Sequence, residues 1–292
     1  MLQKFMEAVQ AWITEHVVPV MNKLTSTYWF GVISDAVLYI VPFSMVSAIP
    51  SLWNIIRRFV PTLPDLSPLT TFSFGLVGLF MAFIIPHNVA VKEDRKDRSM
   101  IAGFTGIGAI MLCMNPTINE DGYVFQMAKL GAGGMFTAMV VGFVVGFIYK
   151  RMARMTFFSE DSMVPDFVKN WFDNIIAVLL SLFVAWLFTN MLQVDVFGAV
   201  AIILSPVTGF AQTLPGTIAI PLVMDTFYFF GISGWVFSPI QQSIQKSALA
   251  ENMAAYAAGL TPTNINAYGI TRYIMIGGVD GRTAVDLALE RD

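Results

Sequence analysis

Long stretches of this chain carry no charged side chain. Asp, Glu, Lys and Arg are absent from 66–91, 99–119, 130–149, 174–194, 196–224, 226–245 and 252–271. A helix that crosses hydrocarbon needs about 20 mainly apolar residues, and the first four runs predict such spans. Residues 29–52 predict another, with Asp35 inside it. Ahead of them, Leu2, Phe5, Val9, Trp12, Ile13 and Val17 recur at helical spacing. That pattern predicts an amphipathic helix lying in the membrane surface. Within 130–149, Gly134, Ala138, Gly142 and Gly146 fall every fourth residue. A face of small residues lets a second helix approach closely in lipid, either inside the bundle or across a dimer interface.

The pattern changes after residue 195. Pro206, Gly209, Pro215, Gly216 and Pro221 interrupt the run 196–224. Proline and glycine break helices where transporter cores expose backbone groups to a cavity or substrate. The stretch TFYFFGISGWVFSPIQQSIQ (226–245) follows, and then QKSALAENMAAYAAGLTPTNINAYG. Both are rich in Asn, Gln, Ser, Thr and aromatic residues and nearly free of charge. Amides bond hydroxyl groups and aromatic rings cover the apolar face of a sugar, so the chemistry suits a neutral polyhydroxylated ligand. Polar groups that satisfy one another in a loosely packed membrane region would give the same composition. The expectation is an all-α membrane protein: a polytopic helical bundle with an N-terminal amphipathic helix and a broken-helix, re-entrant substrate region.

Composition narrows this further. The 292 residues are 56% hydrophobic and 13% charged, and the net charge is −3. A soluble domain is closer to one-quarter charged, and so weak a net charge points away from nucleic acid. The single cysteine, Cys113, excludes an intramolecular disulfide and a cysteine-rich metal site. Its place in an apolar run marks it as a small buried hydrophobe. No cleavable signal is expected, because acidic residues come early and no apolar core precedes a cleavage site. The loop KEDRKDR (92–98) holds four Lys/Arg, and Lys150, Arg151, Arg154 and Lys169 follow the fourth span. Positive charge stays inside, which puts both loops and the N-terminus in the cytoplasm. Arg57 and Arg58 oppose that orientation. The loop's acidic residues are expected to do no more than solvate it. Asp35 should face the bundle or the membrane surface, His16 the wet side of the surface helix, and His87 the interface.

Five pieces in order carry a resemblance: ISDAVLYIVPFSMVSAIP (33–50), VPDFVKNWF (164–172), FYFFGISG (227–234), LAENMAAYAAG (249–259) and YIMIGGVDG (273–281). Together they resemble the IIC membrane component of the bacterial phosphoenolpyruvate-dependent sugar phosphotransferase system, of the lactose/cellobiose/diacetylchitobiose type. The resemblance implies a homodimer in the bacterial cytoplasmic (inner) membrane, with one sugar site per protomer. It implies a permease that presents a disaccharide's C6 hydroxyl to a phosphocysteine on a separate cytoplasmic IIB subunit. Metal, nucleotide or other cofactor is not implied. Its architecture would make 1–194 an interface domain for dimerisation and 195–292 part of a substrate domain. Tyr228 would stand as the aromatic platform, Ser233 and Gln241 as hydroxyl partners, and Glu251 and Asn252 as site-lining residues, with helix packing an equal alternative for that last pair.

Two departures qualify the transfer. Ser233 stands where the family's GIHG motif has histidine, and serine cannot act as a base near neutral pH. The family's GINEP segment, with its sugar-holding glutamate, has no counterpart, and the last residues VDGRTAVDLALERD carry six charges. The expectation is a partial substrate domain, and a chain that inserts and dimerises without transporting or phosphorylating sugar by itself. A degenerate, non-transporting family member and an unrelated ion-coupled transporter stand as alternatives.

Overall fold

The computed structural model describes residues 26–268, except 58, 121, 159–161 and 230–237, together with Ala11, Trp12, Glu15, His16, Pro19 and Lys23. The amphipathic helix expected from Leu2 to Val17 lies mostly outside the described residues, as do Ser233 and the motif at 273–281. The chain divides into two compact units. One is Asp35–Ile203, and the other comprises the described residues of Met1–Ser34 and Leu204–Asp292.

The described elements are α1 (Tyr28–Val46), α2 (Ala48–Arg57), α3 (Ser67–Thr71), α4 (Val77–Lys92) and α5 (Lys96–Cys113), then a short hairpin of β1 (Thr117–Asn119) and β2 (Gly122–Val124). They continue with α6 (Met127–Leu130), α7 (Met135–Met152), α8 (Asp166–Trp186), α9 (Val196–Ala211), α10 (Leu214–Phe229) and α11 (Ser238–Ala257). Among the described residues, three helical stretches are long and apolar enough to cross a membrane: Ser67–Lys92, Ala132–Met152 and Asp166–Met191. They match the predicted spans 66–91, 130–149 and 174–194. The protein is an all-α, polytopic membrane protein.

Two predicted spans are shorter than the apolar runs that suggested them. The run 29–52 bends at Ser47, between α1 and α2, one turn beyond Pro42, whose ring removes a backbone donor. The run 99–119 is helical only to Cys113. Asn115 takes a left-handed conformation (φ 47), which Asn tolerates, and Pro116 follows. Residues 117–119 then pair with 122–124.

In the unit Asp35–Ile203, α4 packs against both α5 and α7, and α5 packs against α8. The small-residue face of α7 turns inward. Gly142 and Gly146 are buried, and a Cβ at Gly142 would lie 3.0 Å from the Cβ of Ile85 on α4. Of the two readings of that face, packing within the bundle is the one found. Gly106 on α5 is tighter still: a Cβ there would collide with the carbonyl oxygen of Ala82 and approach Pro86 Cγ to 3.0 Å. Cys113 is buried, as expected.

The loop charges do more than solvate. The turn between α4 and α5 closes with Asp94 in a left-handed conformation (φ 58). Arg95 N donates to Ala90 O at 2.9 Å and Asp94 N to Val91 O at 3.1 Å, the double bond that ends a helix at a left-handed residue. Arg95 then grips Asp97 through Nε (3.1 Å) and Nη2 (2.9 Å). This bond holds the Asp97 carboxyl below its ordinary range. Arg98 is 2% exposed. It donates to Met152 O (3.2 Å), Met155 O (2.9 Å) and Asp173 Oδ2 (2.8 Å). The other oxygen of Asp173 accepts Phe157 N at 2.8 Å. Arg98 thus bonds the carbonyls of Met152 and Met155 at and just beyond the end of α7, the first of which also accepts Met155 N at 3.0 Å, and ties three elements together. Lys150 pairs with Glu93 at 3.3 Å, and Asp35 pairs with Lys92 at 3.3 Å. Asp35 is therefore neutralised at the charged end of α4.

Candidate functional site

The run 196–224 does bend, but not at every proline. Pro206 and Pro221 lie inside α9 and α10. The break falls at Gln212–Thr213, where α9 and α10 meet at 85°. Thr213 caps the second helix: its Oγ1 accepts Gly216 N at 3.1 Å, the bond an N-cap side chain makes three residues ahead. Gly216 sits so close to Phe210 O that a Cβ would collide with it. The proline in the first turn, Pro215, loses nothing, because first-turn N–H groups have no helical acceptor.

A framework of neutral amides follows. Helix α11 is made of good helix formers and ends at Gly259 (φ 73). Leu260 N donates to Ala255 O (2.8 Å) and Gly259 N to Tyr256 O (3.0 Å), so the glycine closes the helix as a left-handed cap. Residues 243–246 are buried all round the helix, and Ala248 and Asn252 are buried further along it. After the cap, residues 260–268 fold back over the side that carries Gln245, Ala248 and Asn252.

Side chains, not a neighbouring strand, hold the returning segment. Asn252 Nδ2 donates to Asn264 O (2.8 Å), and Asn252 Oδ1 accepts Asn264 N (3.0 Å). Two residues on, Gln212 repeats the arrangement: Oε1 accepts Asn266 N (2.8 Å) and Nε2 donates to Asn266 O (3.3 Å). Each amide thus offers a donor and an acceptor to one residue, as a β-ladder partner does. Gln245 Nε2 donates to Asn266 Oδ1 (3.2 Å), and Tyr268 N donates to Gln245 O (2.9 Å). Asn264 Nδ2 donates to Glu251 Oε2 at 2.7 Å. The result is a charge-poor shelf of amides on a helix, with Tyr268 at its edge. Each such bond contributes about 0.5–1.5 kcal/mol net and can be exchanged for a ligand hydroxyl at small cost.

The residues singled out from the sequence meet this shelf unevenly. Glu251 and Asn252 are in it, and both hold Asn264. Gln241 is half-buried on α11, one turn before Gln245. Tyr228 falls near the end of α10, with its side chain outside the described set, and Ser233 is outside it altogether. Gln212, Gln245, Lys246, Asn264 and Asn266 were not singled out. The alternate spacing of Asn264 and Asn266 was the available signal, since every second residue of an extended segment points the same way.

Known proteins share both sequence and fold with this chain. The oligo-beta-mannoside-specific EIIC component of a phosphotransferase system in Bacillus subtilis (strain 168) is 25% identical over 280 residues, 85% of this chain and 60% of that protein. The chain thus spans about 60% of that curated relative's length. Its fold is similar to the crystal structure of the transporter ChbC, the IIC component from the N,N'-diacetylchitobiose-specific phosphotransferase system. The TM-score is 0.75 at 16% identity, over 91% of this chain and 68% of that one. A sequence model of the family described as "Phosphotransferase system, EIIC" matches residues 34–288. With nearly the whole chain inside that match, and with an all-α membrane bundle carrying an amide-lined shelf, the chain belongs to the EIIC family of the phosphotransferase system.

Proposed function

We propose that the chain acts as the membrane permease component of a sugar phosphotransferase system. It binds a β-linked disaccharide and carries it across for phosphorylation by a separate IIB subunit. The observation that carries this reading is the shelf formed by Gln212, Gln245, Asn252, Asn264 and Asn266: paired donors and acceptors with little charge suit hydroxyl groups. The named relatives are specific for oligo-β-mannosides and for N,N'-diacetylchitobiose. This supports mannobiose, cellobiose, diacetylchitobiose and lactose as the panel of candidates. Tyr228 is the proposed ring platform and Ser233 and Gln241 are proposed hydroxyl partners. Glu251 and Asn252 fix the segment that faces the sugar.

The proposed setting is the bacterial cytoplasmic membrane, with the N-terminus and KEDRKDR inside, and a homodimer formed through 1–194. The substrate part is proposed to begin near residue 195. Arg57, which opposes that orientation, pairs with Asp65 at 3.1 Å. Because α4 covers the small-residue face of α7, a dimer would use another surface.

Proteoliposomes holding the chain, IIB and the general phosphotransfer proteins test the reading. Sugar phosphate that accumulates inside only with phosphoenolpyruvate is the result expected of a permease component, and it would overturn the expectation that the chain does not transport by itself. Bound sugar without accumulation supports the alternative, a non-transporting family member. Unmodified sugar that follows an imposed ion gradient contradicts both.

A further inference from the structure

The amide shelf contains one charge that it does not use. Lys246 is 0% exposed, and its Nζ has no hydrogen-bond partner among the described residues. The face of the Tyr268 ring lies 5.5 Å away, from Nζ to the centroid. Among the described side chains of 204–268, the one carboxylate is Glu251, which is exposed and already accepts from Asn264. A buried ammonium carries three donors and needs acceptors and a counter-charge. A ring face offers neither a lone pair nor a full negative charge, although its quadrupole is attractive. Amides and sugar hydroxyls supply acceptors but no charge.

Lys246 lies next to the amide framework in the chain. It adjoins Gln245, whose carbonyl accepts Tyr268 N and whose side chain bonds Asn266. The segment that brings the Tyr268 ring beside Lys246 is held at Asn264 and Asn266 by side-chain amides.

We propose that Lys246 binds the phosphate monoester of the phosphorylated disaccharide, so that this unit holds the sugar phosphate more tightly than the free sugar. The inference rests on the phosphotransfer reading above, which makes a phosphate monoester the anion produced at this site. A dianionic phosphate provides the missing charge and several strong acceptor oxygens at once. Lysine suits this task as a compact point charge.

The test uses the purified chain in detergent, as wild type, Lys246→Met and Lys246→Arg. The probes are cellobiose, mannobiose, lactose and diacetylchitobiose, each with its 6-phosphate. Wild type should bind one phosphorylated sugar about tenfold or more tightly than its parent. Lys246→Met should bring that ratio to about one, and Lys246→Arg should retain part of it. A folded Lys246→Met with the wild-type ratio overturns the inference. So does a wild type without preference for the phosphate, a result that needs no variant. Both outcomes leave disaccharide binding standing, whereas a wild type that binds neither form overturns the inference and the disaccharide reading together. A phospholipid headgroup carries a phosphodiester; displacement of bound sugar phosphate by phosphatidylglycerol as strongly as by unlabelled sugar phosphate overturns the assignment to sugar.

Discussion

Arg98→Met should lower the thermal unfolding midpoint of the detergent-solubilised chain by roughly 10 °C, the largest effect expected of any single substitution in the helical bundle. Removing one member of a buried ion pair leaves the other charged and unpaired, at a cost of about 3–5 kcal/mol. For a chain of this size, each kcal/mol moves the midpoint by about 2–4 °C. Arg98 and Asp173 are 2% and 6% exposed, so water cannot replace the lost partner. The substitution also removes a donor from the carbonyls of Met152 and Met155. Replacing both partners with apolar residues, as in Arg98→Met with Asp173→Leu, should recover much of the loss, because the pair's desolvation cost is removed with it. Size-exclusion profiles after heating read both effects. A single variant as stable as wild type would show that the pair contributes nothing.

Gly106→Ala should destabilise the chain by about 1–3 kcal/mol, the cost of overpacking a close contact. In an exposed helix the same change would stabilise by about 1 kcal/mol, so the sign itself is the test. The sign reverses because the new methyl meets backbone: the Ala82 carbonyl oxygen on α4, which cannot rotate away as a side chain can. Gly106→Leu should cost more and separate α4 from α5. Gly209, whose added Cβ would meet nothing within 4 Å, is the control, and Gly209→Ala should be neutral or mildly stabilising. Equal midpoints for Gly106→Ala and wild type would remove the close approach from the account.

The membrane bundle was legible in the sequence because hydrocarbon imposes one strong rule, and the absence of charge over 66–91, 130–149 and 174–194 obeys it. The ends of spans were less legible. Ser47, Asn115 and Pro116 decide them through local backbone geometry that an apolar count does not register. The inward turn of Gly142 depends on Ile85, a residue 57 positions away. The loop charges were misjudged for the same reason: nothing near Arg98 in the sequence shows that it reaches Asp173, 75 residues on. In the candidate site, amide density around 245–268 was visible; Glu251 and Asn252 stood between site lining and helix packing, and both hold Asn264. Gln212 was not, since its partner Asn266 is 54 residues distant. In the sequence, Lys246 is one charge just past the run 226–245. Its significance lies in burial, which composition cannot reveal.

The proposed function requires the amide shelf and Tyr228 to bind a disaccharide. Calorimetric titration of the purified chain with mannobiose, cellobiose, lactose and diacetylchitobiose tests it most directly. The account predicts saturable binding of at least one of them. Tyr228→Ala should weaken it by about 1–3 kcal/mol, the worth of a stacking platform for nucleobases, carried over by analogy. Asn252→Ala, which removes both bonds to Asn264, should weaken it by about 1–3 kcal/mol through loss of the segment's position. No binding of any of the four sugars to a folded wild-type chain, or unchanged affinity in both folded variants, would contradict the account.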